Sequence, residues 1–299
     1  MDLIKEINNL KHKKNAIILT HCYQNIEIDS VSDYVGDSFY LSKMASKSDA
    51  DIIVFAGVYF MAQSAKLLSP EKKVLLPNMK SGCLMADMID AEKLQEFKSK
   101  NPNIPVVCYI NSTAEVKALS DICCTSSNAI DIVKSLNANK VLFVPDTYLG
   151  KYVESKLKDV EVITYNGFCP THLRIRVEDI ELARKNHPEA LILAHPECHK
   201  EVVKGADFTG STKEIMEFAK TSKNKKFIIA TEKGVADRLK RDYPEKEFIL
   251  INEKVTCPNM KMNTLYDIYN VLLNEENEIT IKEDVFKPAR KCLEKMLGQ

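Results

Sequence analysis

Nine cysteines stand at positions 22, 83, 108, 123, 124, 169, 198, 257 and 292 of a 299-residue chain. The number is odd and no C-x-x-C pair occurs, which disfavours a disulfide framework and a zinc ribbon. Three of them recur on a period: Cys83, Cys169 and Cys257 are 86 (169 − 83) and 88 (257 − 169) residues apart. Each closes an extended apolar run: KVLLPNMKSGC (73–83), VEVITYNGFC (160–169) and EFILINEKVTC (247–257). Three thiolates meeting at a pseudo-threefold centre leave a coordination position open, since structural zinc takes four protein ligands. Soft thiolates select zinc, Cu(I) or an iron–sulfur cluster. A [4Fe–4S] cluster on three cysteines would leave one iron free to act as a Lewis acid. A lone cysteine is ordinarily a small buried hydrophobe. Three at equivalent places in a repeat argue for ligands. Cys108, Cys123 and Cys124 lie inside apolar runs and read as core thiols. Cys292 reads as packed or exposed on the last helix, and Cys22 and Cys198, beside polar motifs, stay open.

The elements that would bring those thiols together also repeat. AIILTH (16–21), PVVCYIN (105–111) and ALILAHP (190–196) read as buried parallel strands with polar carboxyl ends. YVGDS (34–38), DICCTSS (121–127) and ADFTGST (206–212) follow them, then DIIVFAG (51–57), KVLFVPD (140–146) and KFIIATE (226–232), then the three cysteine-ended runs. The first-strand ends are read as His21, Asn111 and His195. Segments between them carry helical apolar spacing: the stretch after Asp37, VYFMAQSAKLLSPEK up to Pro70, SNAIDIVKSLNA, STKEIMEFAKTS and GVADRLKRDYP up to Pro244. Strand alternating with helix gives an α/β fold with three similar three-layer αβα domains and parallel sheets, disposed with pseudo-threefold symmetry around a central site. The boundaries fall at 1–86, 87–172 and 173–262. The tail 263–299 holds two helices and a short extended piece, packing on the first domain. Ligands of open parallel sheets sit beyond the carboxyl ends of the strands, where three such domains would share a centre.

Composition excludes several classes. The chain is 45% hydrophobic and 28% charged, a globular mixture. Its 42 basic and 42 acidic residues cancel, so no broad field for nucleic acid or anionic lipid is expected. No apolar run approaches the ~20 residues of a membrane span. MDLIKEINNLKHKKN reads as a charged helix and not as a signal peptide, which points to the cytoplasm.

Seven motifs, in order, carry a family resemblance: ILTHCYQNIEIDSVSDYVGDS (18–38), DIIVFAGVYFMAQSAKLLSPEKKVLLPNMKSGC (51–83), CYINSTAEVKALSDICCTSSNA (108–129), NGFCPTH (166–172), AHPEC (194–198), FTGST (208–212) and KVTCPNMKMNTL (254–265). Together they resemble the quinolinate synthase family, transferases of NAD biosynthesis, over nearly the whole chain. The resemblance implies three αβα domains around a [4Fe–4S] cluster on Cys83, Cys169 and Cys257. It implies condensation of iminoaspartate with dihydroxyacetone phosphate to quinolinate, with loss of phosphate and two waters. It also implies functional coupling to an aspartate oxidase or dehydrogenase that supplies the imine. The matching positions are His21, Tyr23, Ser38, Tyr109, Asn111, Ser126, His172, His195, Glu197, Ser211 and Thr212. Glu197 is the expected acid/base, with Tyr23 and His21 as partners, and Tyr109 and Asn111 orient the substrate. Hydroxyls before helices suit carboxylates and phosphate, although a serine there is also an ordinary N-cap. Cys22, within the H-x-Y motif, departs from the family's usual Asn or Tyr and places an extra oxidisable thiol beside the site. Met260 and Met262 follow Cys257 where some relatives carry further cysteines.

Two other readings compete. HPECH (195–199) sets two histidines four apart with a glutamate between, as in a zinc-dependent hydrolase, but Pro196 opposes the required helix and the Glu is offset. A non-catalytic iron–sulfur sensor would use the same cysteines without the surrounding acid/base groups.

Overall fold

The protein is described here by a computed structural model covering residues 2–298. Twelve strands form three separate four-stranded sheets. The first contains β1 (Ala16–His21), β2 (Tyr34–Gly36), β3 (Ile52–Ala56) and β4 (Lys73–Leu75). The second contains β5 (Val106–Tyr109), β6 (Ile122–Cys124), β7 (Lys140–Val144) and β8 (Glu161–Thr164). The third contains β9 (Leu191–Ala194), β10 (Phe208–Thr209), β11 (Lys226–Ala230) and β12 (Glu247–Leu250). Every pairing is parallel, and each sheet has its first strand between its second and third and its fourth at the edge. The central strands β3 and β5 are apolar on both faces and buried throughout, as strands between two helical layers must be.

The helices of the first sheet are α1 (Leu3–Lys13), α2 (Ser38–Lys47) and α3 (Tyr59–Leu68). Those of the second are α4 (Ala91–Ser99), α5 (Ala114–Ala118), α6 (Ala129–Ser135) and α7 (Thr147–Lys156). The third has α8 (Val177–Asn186), α9 (Lys200–Gly205), α10 (Thr212–Thr221) and α11 (Lys233–Asp242), and the tail forms α12 (Leu265–Asn274) and α13 (Glu283–Leu297). The sequence reading named α1, α2, α3, α6, α10, α11 and the two tail helices but not α4, α5, α7, α8 or α9. A Cβ at Gly150 would stand 2.5 Å from Thr164 Cγ2, so the glycine lets α7 lie close on β8. Between β1 and β2 a 3₁₀ turn (Ile26–Val31) replaces the α-helix found at α5 and α9.

The tail is not a loose appendage. Its first helix, α12, packs on α1 and β3, whereas α13 packs on α5, β6 and α3 and so binds the first two units together. Ala289, Cys292, Leu293 and Met296 form its inward face. Cys292 is thus a core thiol, with its sulfur 3.3 Å from that of Cys123. The extended piece between the two helices meets β4 at an antiparallel bridge, Leu75 to Glu278. Among the described residues no helix is long and apolar enough to cross a membrane.

One polar device fixes the register of all three units. The carboxylates of Asp33, Asp121 and Asp207 each accept the backbone N–H of the residue fifteen positions earlier, Ile18, Val106 and Ile192, at 2.7 Å. Each aspartate opens its unit's second strand and ties it to the first. This register corrects the reading of the strand ends: His21 is equivalent to Tyr109 and His195, and Tyr23 to Asn111 and Glu197. The strand partners agree, with His21 beside Gly36 and Tyr109 beside Cys124. The Cys-Tyr-Ile-Asn stretch had obscured this because its polar end lies two residues past the strand.

Candidate active site

The carboxyl ends of the three sheets meet at one cavity. His21, Tyr109 and His195 line it from the ends of β1, β5 and β9, and Tyr23, Asn111 and Glu197 line it from the turns that follow. Ser38, Ser126 and Thr212 line it from the ends of the second strands. Cys83, Cys169 and Cys257 line it from the loops after the fourth, and His172 lies one turn past Cys169. Ser38 and Thr212 are the first residues of α2 and α10, so two helix N-termini point their free N–H groups toward this region.

Ser211 is the expected residue that the wall omits. It is fully buried and forms a capping box: Ser211 Oγ accepts Glu214 N–H at 3.3 Å and the Glu214 carboxylate accepts Ser211 N–H at 2.7 Å. In the repeat it corresponds to Asp37 and Thr125, one place before the lining residues. Asp37 caps α2 through Tyr40 N–H and accepts Ser127 Oγ–H at 2.9 Å, which joins the first unit to the second at the rim. Asp37, Thr125, Arg174 and Glu232 all line the cavity without having been singled out from the sequence. The aspartate register would have flagged the first two; nothing local distinguishes Arg174.

The polar groups form one connected network. Glu197, only 3% exposed, accepts a hydrogen bond from Tyr109 Oη at 2.7 Å and lies 2.7 Å from His172 Nδ1. His172 Nε2 meets Thr231 Oγ1 at 2.8 Å, Thr231 Oγ1 meets Tyr23 Oη at 3.2 Å, and Tyr23 Oη meets Thr212 Oγ1 at 2.9 Å. Burial opposes a charge on Glu197, yet neighbouring His172 and His195 and the hydrogen bonds from His172 and Tyr109 outweigh it and hold the carboxyl down at about 2. His195 is itself kept neutral by burial, at about 3 despite the pull of Glu197. With the His195 ring neutral, neighbouring His172, 2.7 Å away, is the first group that holds the carboxyl down, followed by the hydrogen bond from Tyr109. Burial, then the Glu197 charge, pushes both Tyr23 and Tyr109 well up, so the phenols are neutral donors.

Two histidines are aimed by their own turns. His21 Nδ1 accepts Tyr23 N–H at 3.1 Å and His195 Nδ1 accepts Glu197 N–H at 3.3 Å. Those contacts assign the proton to Nε2 in each neutral ring. Burial, followed by Arg238, brings His21 down to about 3. The turn after β1 is also gripped from the third unit: Arg238 donates to the carbonyls of Cys22 (2.6 Å) and Gln24 (3.0 Å), and Lys261 donates to that of Tyr23 (2.5 Å). Buried Glu232 ties this grip to the third cysteine, accepting Cys257 N–H at 3.1 Å and facing Lys261 Nζ at 3.4 Å. Cys22 is buried and its thiol is pushed up by burial, so it lies behind the site and away from its wall.

The donor set can hold a metal cofactor. Burial pushes Cys83 up to about 12, Cys169 well up and Cys257 up, so a bound cation is what would keep these sulfurs as thiolates. Among the described residues only Cys169, His172 and Glu197 bring three ligand atoms within 4.8 Å of one another. At least one pair of the three sulfurs therefore stands more than 4.8 Å apart, wider than the ~3.8 Å edge of a mononuclear site with 2.3 Å zinc–sulfur bonds. In the compact trio, His172 Nδ1 and Glu197 already meet at 2.7 Å, a hydrogen-bond distance. The hydrolase reading loses its histidine pair as well. His195 lies on the cavity, while His199 caps α9 through Glu201 N–H and packs tilted, at 58°, against the Tyr148 ring with centroids 5.5 Å apart.

Comparison with known proteins gives a consistent picture. The family model described as quinolinate synthetase A protein matches residues 5–298. A quinolinate synthase of Alkaliphilus metalliredigens is 52% identical over 296 residues, 99% of this chain and 98% of the relative. One from Caldicellulosiruptor saccharolyticus is 52% identical over 293 residues, 98% and 97% of the two chains. One from Clostridium kluyveri is 48% identical over 296 residues, 99% and 98%.

Proposed function

The chain belongs to the quinolinate synthetase A family and its activity is that of a quinolinate synthase, and from that premise we propose how the cavity carries out the reaction. The substrates are iminoaspartate and dihydroxyacetone phosphate, and quinolinate forms with release of one phosphate and two waters. Cys83, Cys169 and Cys257 hold a [4Fe–4S] cluster. When bound, that cluster supplies a Lewis acid at the iron no cysteine holds, to polarise a substrate hydroxyl or carboxylate.

The chain's own residues do the rest. Ser38 and Thr212, at two helix N-termini, and Ser126 take the carboxylates and the phosphate. Asn111 orients the bound substrate, and His21 and His195 present Nε2–H donors to its oxygens. Glu197, ionised and within the hydrogen-bonded chain, takes a proton from the ketose carbon next to the carbonyl and returns it to the neighbouring carbon. Tyr109 and Tyr23 supply protons to departing oxygens and recover them along the Glu197–His172–Thr231 chain. Burial of the network excludes bulk water from the imine. An aspartate oxidase or dehydrogenase in the same compartment, the cytoplasm, would supply that unstable substrate.

The observation that carries this reading is the convergence of three repeat-equivalent cysteines and the Glu197 network on one wall. Its test is quinolinate formation by the anaerobically purified chain from both substrates. Turnover that needs both substrates is expected. A protein that retains iron and sulfide yet makes no quinolinate would instead be an iron–sulfur sensor.

A further inference from the structure

The turn after β5 lacks the histidine that steadies its two counterparts, because Tyr109 stands where His21 and His195 stand. It is held instead from beneath. Lys117, on α5, is fully buried, and its ammonium donates to the carbonyl of Ile110 at 2.9 Å and, at shorter range, to that of Ser112. These are the carbonyls on either side of Asn111. The same nitrogen stands 5.5 Å from the centroid of the Phe60 ring, with the core thiols of Cys123, Cys108 and Cys292 and the Glu115 carboxylate as its further neighbours. Burying an ammonium is costly, and a methionine would fill the space without that cost. What lysine adds is the pair of hydrogen bonds. The rest of the turn is fixed by Ser112 N–H to Ile110 O (2.8 Å), Ser112 Oγ–H to Tyr109 O (3.0 Å) and Ala114 N–H to Gln63 Oε1 (3.2 Å). None of these holds the carbonyl of Ser112. Asn111 faces the cavity, and among the described residues no hydrogen bond of its own amide fixes it, so its aim comes from the backbone.

We propose that Lys117 is a positioning residue: its enclosed ammonium clamps the carbonyls flanking Asn111 and so aims that amide at the substrate. The inference rests on the reading of Asn111 as a substrate-orienting group. Lys117 touches no substrate and acts only through the turn.

A double-mutant cycle on the holoenzyme tests it, with Lys117→Met, Asn111→Ala and the pair. Lys117→Met is expected to keep the iron content of the parent chain and lose about 10- to 100-fold in kcat/KM, the scale of a small misplacement of a contact group. In the Asn111→Ala background the same change is expected to alter kcat/KM by less than about twofold, because the group it aims is gone. Losses that multiply, or parental kinetics for Lys117→Met, would overturn the inference. Should Lys117→Met not fold, Lys117→Gln gives the same cycle with one donor retained. An iron-loaded parent chain that makes no quinolinate overturns the underlying reading and with it this role. An active parent with multiplying losses overturns the clamp alone.

Discussion

The turns after β1, β5 and β9 have one backbone frame and three ways of being held. Those after β1 and β9 begin with a histidine whose Nδ1 takes the N–H two residues on, at 3.1 and 3.3 Å. The turn after β5 begins with a tyrosine that reaches across to Glu197, and a lysine from the core holds its carbonyls. Histidine can aim itself and still offer Nε2–H to a ligand. Tyrosine cannot accept the turn's N–H in the same way, so the middle unit needs another donor to order its loop. The middle phenol is free in return to serve the third unit's carboxylate. Equivalent positions thus carry three different groups: the Tyr23 phenol, bonded to Thr212 and Thr231, the Asn111 amide on the cavity, and the Glu197 carboxylate between Tyr109 and His172, to which the proposed function gives proton supply, substrate orientation and acid/base transfer.

The sharpest test of that division is at Glu197. Glu197→Gln keeps the size of the side chain and removes its basicity. Turnover is expected to fall by about 10²- to 10⁴-fold, the range of a positioned acid/base group, with iron content unchanged. An equal loss from Asn111→Ala, with Glu197→Gln mild, would invert the assigned tasks.

A smaller effect separates the histidine turns from the tyrosine turn by pH. His21 and His195 are held near 3 when folded, against about 6.5 for an unperturbed histidine. The unfolded chain therefore binds more protons between those values, and folding stability falls as pH drops from about 6.5 toward 3. His21→Asn and His195→Asn replace the Nδ1 acceptor by an amide oxygen and remove the titration. Each is expected to flatten the acid limb of melting temperature against pH, measured anaerobically by calorimetry. Tyr109→Phe should leave the slope above about pH 4.5 as it is and act only below it, where loss of its hydrogen bond lets Glu197 take up a proton sooner. A parent-like slope in both histidine variants would show that these rings do not set the acid limb.

Much of this was legible in the chain itself, for physical reasons. Buried parallel strands are continuous apolar runs, so β3, β5 and β11 announce themselves, and the cysteine period survives because each residue sits at the same place after a fourth strand. The helices with Ser caps or a terminal proline could be placed. What escaped was set by tertiary contact. Gly150 looks like a helix breaker until Thr164 is seen against it. The strand-end register was misread because Asn111 looks like a strand-end polar residue, while the positions are fixed by Asp33, Asp121 and Asp207 reaching back to Ile18, Val106 and Ile192. Ser211 and Thr212 both suit a helix start, and only the capping box shows which is engaged by the helix and which lines the cavity. Nothing in the sequence singles out Lys117 or Arg238, since burial of a basic side chain against peptide carbonyls leaves no mark on local composition.

The central claim of the proposed function is that the three repeat-equivalent sulfurs on the cavity, Cys83, Cys169 and Cys257, hold a cluster and not a single ion. Anaerobic determination of iron, acid-labile sulfide and zinc per chain, on the parent and on Cys169→Ser, addresses it most directly. About four irons and matching sulfide are expected in the parent, with a large loss of both in the variant. A single zinc per chain, or iron undiminished by Cys169→Ser, would contradict it.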